Sequence, residues 1–110
     1  MSGPRLPPLT HLQFLVLGAL FESEQPGRAV RETLARYGVR RTAPAFYQMM
    51  ARLERASLVE GWYEQITVGD QAVTERRYRI TRTGAGRWEE TRRFYATTVP
   101  AALHRRWSSG

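Results

Sequence analysis

With 110 residues, 42% of them hydrophobic, and no cysteine, the chain supports one domain with a modest core and excludes disulfides, thiolate metal sites and cysteine nucleophiles. A formal net charge of +7 and a sequence pI near 11.0 attract polyanions, which makes nucleic acid and anionic membrane surface the natural partners. The longest apolar run, Phe14 to Phe21, is interrupted by Gly18 and too short to span a bilayer, and the first residues lack the apolar core of a signal peptide, so a soluble cytoplasmic protein is expected.

All 17 basic side chains are arginine, whose planar fork suits bidentate contact with phosphate and guanine, although a GC-rich coding bias produces the same loss of lysine. A flexible segment is expected over residues 1–9. Thr10-His11-Leu12-Gln13 reads as a capping box that opens a first helix running to about Phe21. Its stripe of Leu12, Leu15, Val16, Ala19 and Leu20 is expected to face the core, and Phe14, Leu17 and Phe21 form a second stripe expected to meet a partner chain. A polar loop, Glu22 to Pro26, leads into a second helix of about Pro26 to Tyr37 with Val30, Leu34 and Tyr37 as its apolar positions and Gly38 as its stop. Arg28, Arg31 and Arg36 lie off that stripe, on a solvated face.

A third helix is expected from Ala43 to Ala56, with Thr42 as N-cap and Pro44 in the first turn, where its missing N–H costs nothing. Phe46, Met49, Met50 and Leu53 make its buried stripe. The opposite arc of Pro44, Tyr47, Gln48, Ala51, Arg52 and Arg55 carries an aromatic, an amide and two arginines without a carboxylate, as a helix lying in a major groove needs. Glu54, between the arcs, is expected to fix a neighbouring arginine in an ion pair. From Leu58 to Val68 and from Val73 to Thr81, β-branched and aromatic residues flank Gly69-Asp70-Gln71-Ala72, which reads as a hairpin. A four-residue loop sets Tyr63 against Tyr78, Glu64 against Arg77 and Trp62 against Arg79, whereas a two-residue loop sets Glu64 against Glu75, so the longer loop is expected, with Thr67, Thr74 and Arg76 near its tip. A last helix opens near Arg82 with Thr81 as N-cap. Its stripe of Trp88, Tyr95, Val99 and Leu103 has no surface left to cover within one chain, and Pro100 kinks or ends it.

The predicted fold is mostly α with a β-hairpin wing: a winged helix-turn-helix over residues 10–81 followed by a dimerisation helix and tail over 82–107. The stretch Phe46-Tyr47-Gln48-Met49-Met50-Ala51-Arg52-Leu53-Glu54-Arg55-Ala56-Ser57-Leu58-Val59 resembles the PadR-like segment Leu-Tyr-Pro-x-Leu-x-Arg-Leu-Glu-x-x-Gly-Leu-Val. Tyr78-Arg79-Ile80-Thr81-Arg82-Thr83-Gly84 is likewise similar to that family's Tyr-x-Leu-Thr-x-x-Gly at the junction of wing and helix. The family's His-Gly-Tyr-Glu-Ile is Pro26-Gly27-Arg28-Ala29-Val30 here, with only the glycine kept, and Ser57 and Gln48 replace a glycine and a proline.

The resemblance implies a homodimeric transcription regulator, usually a repressor, whose last helix packs on the partner's first. Thr42, Pro44, Tyr47, Gln48, Arg52 and Arg55, with Arg76 and Arg77 from the wing, are the expected DNA-binding set, Gln48 reading adenine and Arg52 and Arg55 holding phosphates. Phe14, Leu17, Phe21, Trp88, Tyr95, Val99 and Leu103 are the expected dimer contacts. Trp62 and Trp88 are candidates for holding a small flat aromatic effector, with packing as the alternative. No cofactor or metal is expected. His11 and His104 are far apart, Asp70 sits in a turn, and no nucleophile motif or phosphate loop appears, so an enzyme is not expected. A winged helix that binds protein instead of DNA is the competing class.

Overall fold

The computed structural model describes residues 6–98. Elements follow the order α1 (His11–Leu20), β1 (Gln25–Pro26), α2 (Gly27–Arg36), α3 (Ala43–Arg55), β2 (Val59–Val68), β3 (Gln71–Ile80) and α4 (Arg82–Thr98). The caps lie where the local chemistry puts them. Thr10 Oγ1 accepts from the Gln13 N–H at 3.2 Å while the Gln13 side chain accepts from the Thr10 N–H at 3.0 Å, the reciprocal pairing of a capping box. Thr42 Oγ1 accepts from the Ala45 N–H at 3.3 Å, and Pro44 occupies the first turn of α3. The core gathers Val16, Leu17 and Leu20 of α1, Val30 and Leu34 of α2, Phe46, Met50 and Leu53 of α3, and Leu58, Val59 and Tyr78 from the sheet side.

Three expectations about packing are revised. Leu9 is buried at 4% exposure in the core, so the chain is anchored immediately before α1. Leu17, expected at a partner surface, is 0% exposed within its own chain, while Leu12 and Leu15 lie at the core's edge. A helix that is apolar on nearly all sides does not announce which side is inward. Nor is α4 without a surface in its own chain. It lies along α1, with Trp88 stacked on Phe14 at 5.4 Å and packed on Phe21 at 4.4 Å, and with Tyr95 against Phe14 and His11. Gly18 lies beneath Trp88: a Cβ there would stand 3.1 Å from Nε1. Val99 and Leu103 lie outside the described residues.

The hairpin register also departs from expectation. The loop is the two-residue Gly69-Asp70, with Val68 opposite Gln71, Glu64 opposite Glu75, Tyr63 opposite Arg76 and Trp62 opposite Arg77. Gly69 has φ +64, the left-handed conformation that tight hairpin turns assign to glycine. The facing carboxylates are tolerated because two arginines answer them. Arg77 reaches Glu64 at 3.2 Å and Glu75 at 3.1 Å, and Arg28 of α2 reaches Glu75 at 3.1 Å. β1, read as loop from the sequence, pairs with β3 through Gln25 opposite Tyr78 and Pro26 opposite Arg77, giving a three-stranded antiparallel sheet in the order β1-β3-β2. Two residues are too few for a periodic signal.

Where the wing meets α4, the backbone closes tightly. The Thr81 hydroxyl donates to the Ser57 carbonyl at 2.7 Å and accepts from the Gly84 N–H at 2.9 Å, capping α4 as expected. A Cβ on Gly84 would stand 2.1 Å from the Leu58 carbonyl oxygen, so only glycine permits this approach.

Candidate nucleic-acid interface

Helix α2, the turn after it and α3 form a helix-turn-helix. Gly38, at φ +84, ends α2, and the Val39 N–H returns to the Leu34 carbonyl at 2.9 Å. Arg31 then clasps the turn, its guanidinium donating twice to the Arg41 carbonyl at 3.1 and 2.9 Å. The two helices touch where Tyr47 lies over Gly27. A Cβ on Gly27 would stand 2.9 Å from both Cε1 and the hydroxyl of Tyr47, which gives the glycine kept from the family pattern a physical reason. Tyr47 also meets Phe46 edge to face at 5.1 Å, so one side of its ring completes the core while the residue stays exposed on the other.

With Phe46, Met50 and Leu53 buried, α3 turns Thr42, Pro44, Tyr47, Gln48, Arg52 and Arg55 outward, and all six are exposed. Among the described residues neither Arg52 nor Arg55 is paired with a carboxylate. Arg40 and Arg41, exposed at the entrance to α3, extend the same basic surface. Sequence periodicity does not reveal them, because a turn has no period to assign them a side. An open cleft of about 500 Å³ separates Tyr47 from the wing, lined by Arg28, Ile66, Val73 and Arg76 among others.

The wing arginines are placed differently from the expectation. Arg76 sits mid-strand, not at the tip, and its Nη2 is 2.7 Å from Glu54 Oε1. Its guanidinium stands over Tyr63 at 4.6 Å and near Tyr78 at 5.5 Å. Desolvation opposes that charge, but Tyr78 and Glu54 outweigh it and hold the guanidinium above its ordinary pKa. Burial raises the Tyr78 phenol above its ordinary value in spite of the Arg76 charge beside it. Arg77, on the opposite face of the sheet, is enclosed by Glu24, Glu64 and Glu75. Its Nε–H is 3.2 Å from Glu64 and 3.7 Å from Glu24 but aligned with neither, so those contacts are attractions of charge and not hydrogen bonds. Both arginines are paired with carboxylates of their own chain.

The two tryptophans do not form one cage. Trp62 lies under Arg79 at 5.4 Å, while Trp88 is held between Phe14 and Phe21 with its Nε1–H buried and, among the described residues, unpartnered. Among the described residues no group of histidines and carboxylates could hold a metal ion, and no helix is long and apolar enough to cross a membrane.

Three helices followed by a β-wing and a further helix define a winged helix-turn-helix. The arrangement is the PadR-like winged-helix fold, as comparison with solved structures shows. A PadR-family transcriptional regulator from Eggerthella lenta superimposes with a TM-score of 0.60 at 29% identity over 78% of this chain and 72% of its own. A PadR-like transcriptional regulator from Bacillus cereus gives 0.68 at 18% identity over 90% of this chain and 92% of its own. PadR of Bacillus subtilis, solved in complex with operator DNA, gives 0.60 at 17% identity over 84% of this chain and 51% of its own. No family model matches the sequence, and no curated protein does.

Proposed function

We propose that this chain is a sequence-specific DNA-binding transcription regulator, acting as a homodimeric repressor on a near-palindromic operator. The observation that carries the reading is the outer arc of α3. Six exposed residues present an aromatic, an amide and two unpaired arginines, while the helix's single carboxylate, Glu54, is turned aside and neutralised by Arg76. Gln48 offers the bidentate amide that matches adenine, and Arg52 and Arg55 lie one and two turns further on, where the helix passes the backbone. That Bacillus subtilis PadR was solved in complex with operator DNA supports DNA as the partner. Arg40 and Arg41 join Arg52 and Arg55 as phosphate contacts.

Dimerisation uses the aromatic seam of α1 and α4, where Phe21 remains 39% exposed and Phe14, Trp88 and Tyr95 are half-buried. A two-fold dimer places its α3 helices about 34 Å apart, one helical turn of DNA. A flat aromatic effector meets Trp88 at this seam and not a joint cage with Trp62. The role is non-enzymatic and cytoplasmic.

The test is a salt titration of binding to a fluorescent duplex carrying the sequence upstream of the protein's own gene, against a scrambled duplex. Preference for the upstream duplex that persists at physiological salt is expected, and Gln48→Ala should alter the ranking of single-base operator variants. Equal and steeply salt-sensitive binding to both duplexes overturns sequence specificity. An unchanged ranking in Gln48→Ala removes that residue from base readout.

A further inference from the structure

Glu54, Arg76 and Gly61 meet where α3 passes the wing. A Cβ on Gly61 would lie 2.8 Å from Arg76 Nη2, 2.8 Å from Glu54 Oε1 and 2.9 Å from Tyr78 Cε1. The missing side chain thus leaves the notch in which the ion pair rests. Both partners are mostly buried, with side chains 23% and 27% exposed, and Tyr63 and Tyr78 stand beside the guanidinium. Between α3 and β2 the chain has only Ala56, Ser57 and Leu58 to turn through, and Ser57 there adopts φ +62. Elsewhere the wing is held by the pairing of β1 with β3 and by Arg28 of α2 on Glu75, neither of which reaches α3. The Glu54–Arg76 pair is a link between side chains 22 positions apart, carrying β3 to the last turn of α3.

We propose that Glu54 and Arg76, seated over Gly61, are positioning residues that lock the wing's angle to α3, and that Arg76 serves DNA binding by this lock and not by touching the duplex. The inference rests on the reading of α3 as the DNA-contacting helix, but its first test needs no DNA. Because the chain contains no cysteine, spin labels can be placed by Ala56→Cys at the end of α3 and Thr67→Cys near the wing tip, both exposed positions. Labelled chains are diluted with unlabelled protein so that only distances within one chain are read.

The natural pair should give one narrow distance distribution. Glu54→Gln and Arg76→Gln, which keep shape and remove one charge each, should each broaden it about twofold, and Gly61→Ala, which fills the notch, should do the same. Exchanging the charges, Glu54→Arg with Arg76→Glu, should narrow it again, which general destabilisation would not do. On the upstream duplex, Glu54→Gln should lower the preference over scrambled DNA about tenfold while the salt slope stays unchanged. Circular dichroism confirms that each variant is folded. An unchanged width in both glutamine variants overturns the lock, whatever the DNA result. A fall of about one in the salt slope for Arg76→Gln, absent from Glu54→Gln, overturns it by making Arg76 a phosphate ligand. If the natural chain shows no preference for its upstream duplex, the regulator reading falls, and the label distances still decide the lock.

Discussion

Arg52 and Arg55 on α3, and Arg76, Arg77 and Arg79 on the wing, are one side chain used in two ways. The α3 pair stands exposed with no carboxylate partner among the described residues, whereas each wing arginine is paired: Arg76 with Glu54, Arg77 within Glu24, Glu64 and Glu75, and Arg79 with Glu60 at 2.7 Å. The distal wing, from Glu64 to Glu75, holds three carboxylates and no arginine. Net charge therefore says little about where a polyanion sits. What counts is which cations remain uncompensated after folding, because a carboxylate beside an arginine offsets the charge it can offer a phosphate.

The sharpest way to break the comparison is to empty the α3 surface. Arg52→Ala combined with Arg55→Ala should weaken binding to specific and scrambled duplexes alike, about a hundredfold at physiological salt, and reduce the log–log salt slope by about two. Fluorescence anisotropy across a salt series reads both quantities. If instead the slope holds, the free arginines of α3 do not meet phosphate.

Removing a wing arginine should have the opposite profile. Arg77→Met leaves Glu24, Glu64 and Glu75 without their shared cation, and urea denaturation should show a loss of about 2 kcal/mol with the salt slope of DNA binding unchanged. A variant of natural stability with a shallower slope would place Arg77 with the α3 pair.

Smaller effects sharpen the contrast at the joint between the two regions. Ser57 adopts φ +62, so Ser57→Gly relieves a left-handed backbone that disfavours a side chain and should raise stability by about 1 kcal/mol in the same urea assay. The smallest effect is on pH. The Tyr78 phenol has a raised pKa in the folded chain, so below the ordinary phenol value of about 10 both states keep the proton and its contribution is fully present. As pH climbs past that value the unfolded chain ionises first and stability falls. Urea melts on either side of about pH 10 should show this decline, and Tyr78→Phe should flatten it.

Much of this was legible along the chain because it is local chemistry. Thr10 with Gln13, Thr42 with Pro44, and Thr81 ahead of Arg82 announce their helix starts through groups within four residues of each other. The inward stripe of Phe46, Met50 and Leu53 fixes, by its 3.6-residue period, which side of α3 faces out, and with it the exposed arc from Pro44 to Arg55. An ion pair of Glu54 with a neighbouring arginine was expected, and its partner is Arg76, 22 positions away.

What the tertiary structure alone decided are the matters that depend on neighbours distant in sequence. A Glu64–Glu75 pairing looks unfavourable when two strands are considered by themselves, and becomes acceptable once Arg77 and the Arg28 of another helix stand beside it. Leu17 looked like partner surface because α1 is apolar all round, and the packing of α2, α3 and α4 determined which of its sides became core. Arg76 and Arg77 looked like a wing's grip on DNA, and only the folded chain shows the carboxylates that hold them. Sequence determines the side chains and the local geometry that carries them; how much of each charge and each apolar face remains for a partner is what is left after the chain has packed on itself.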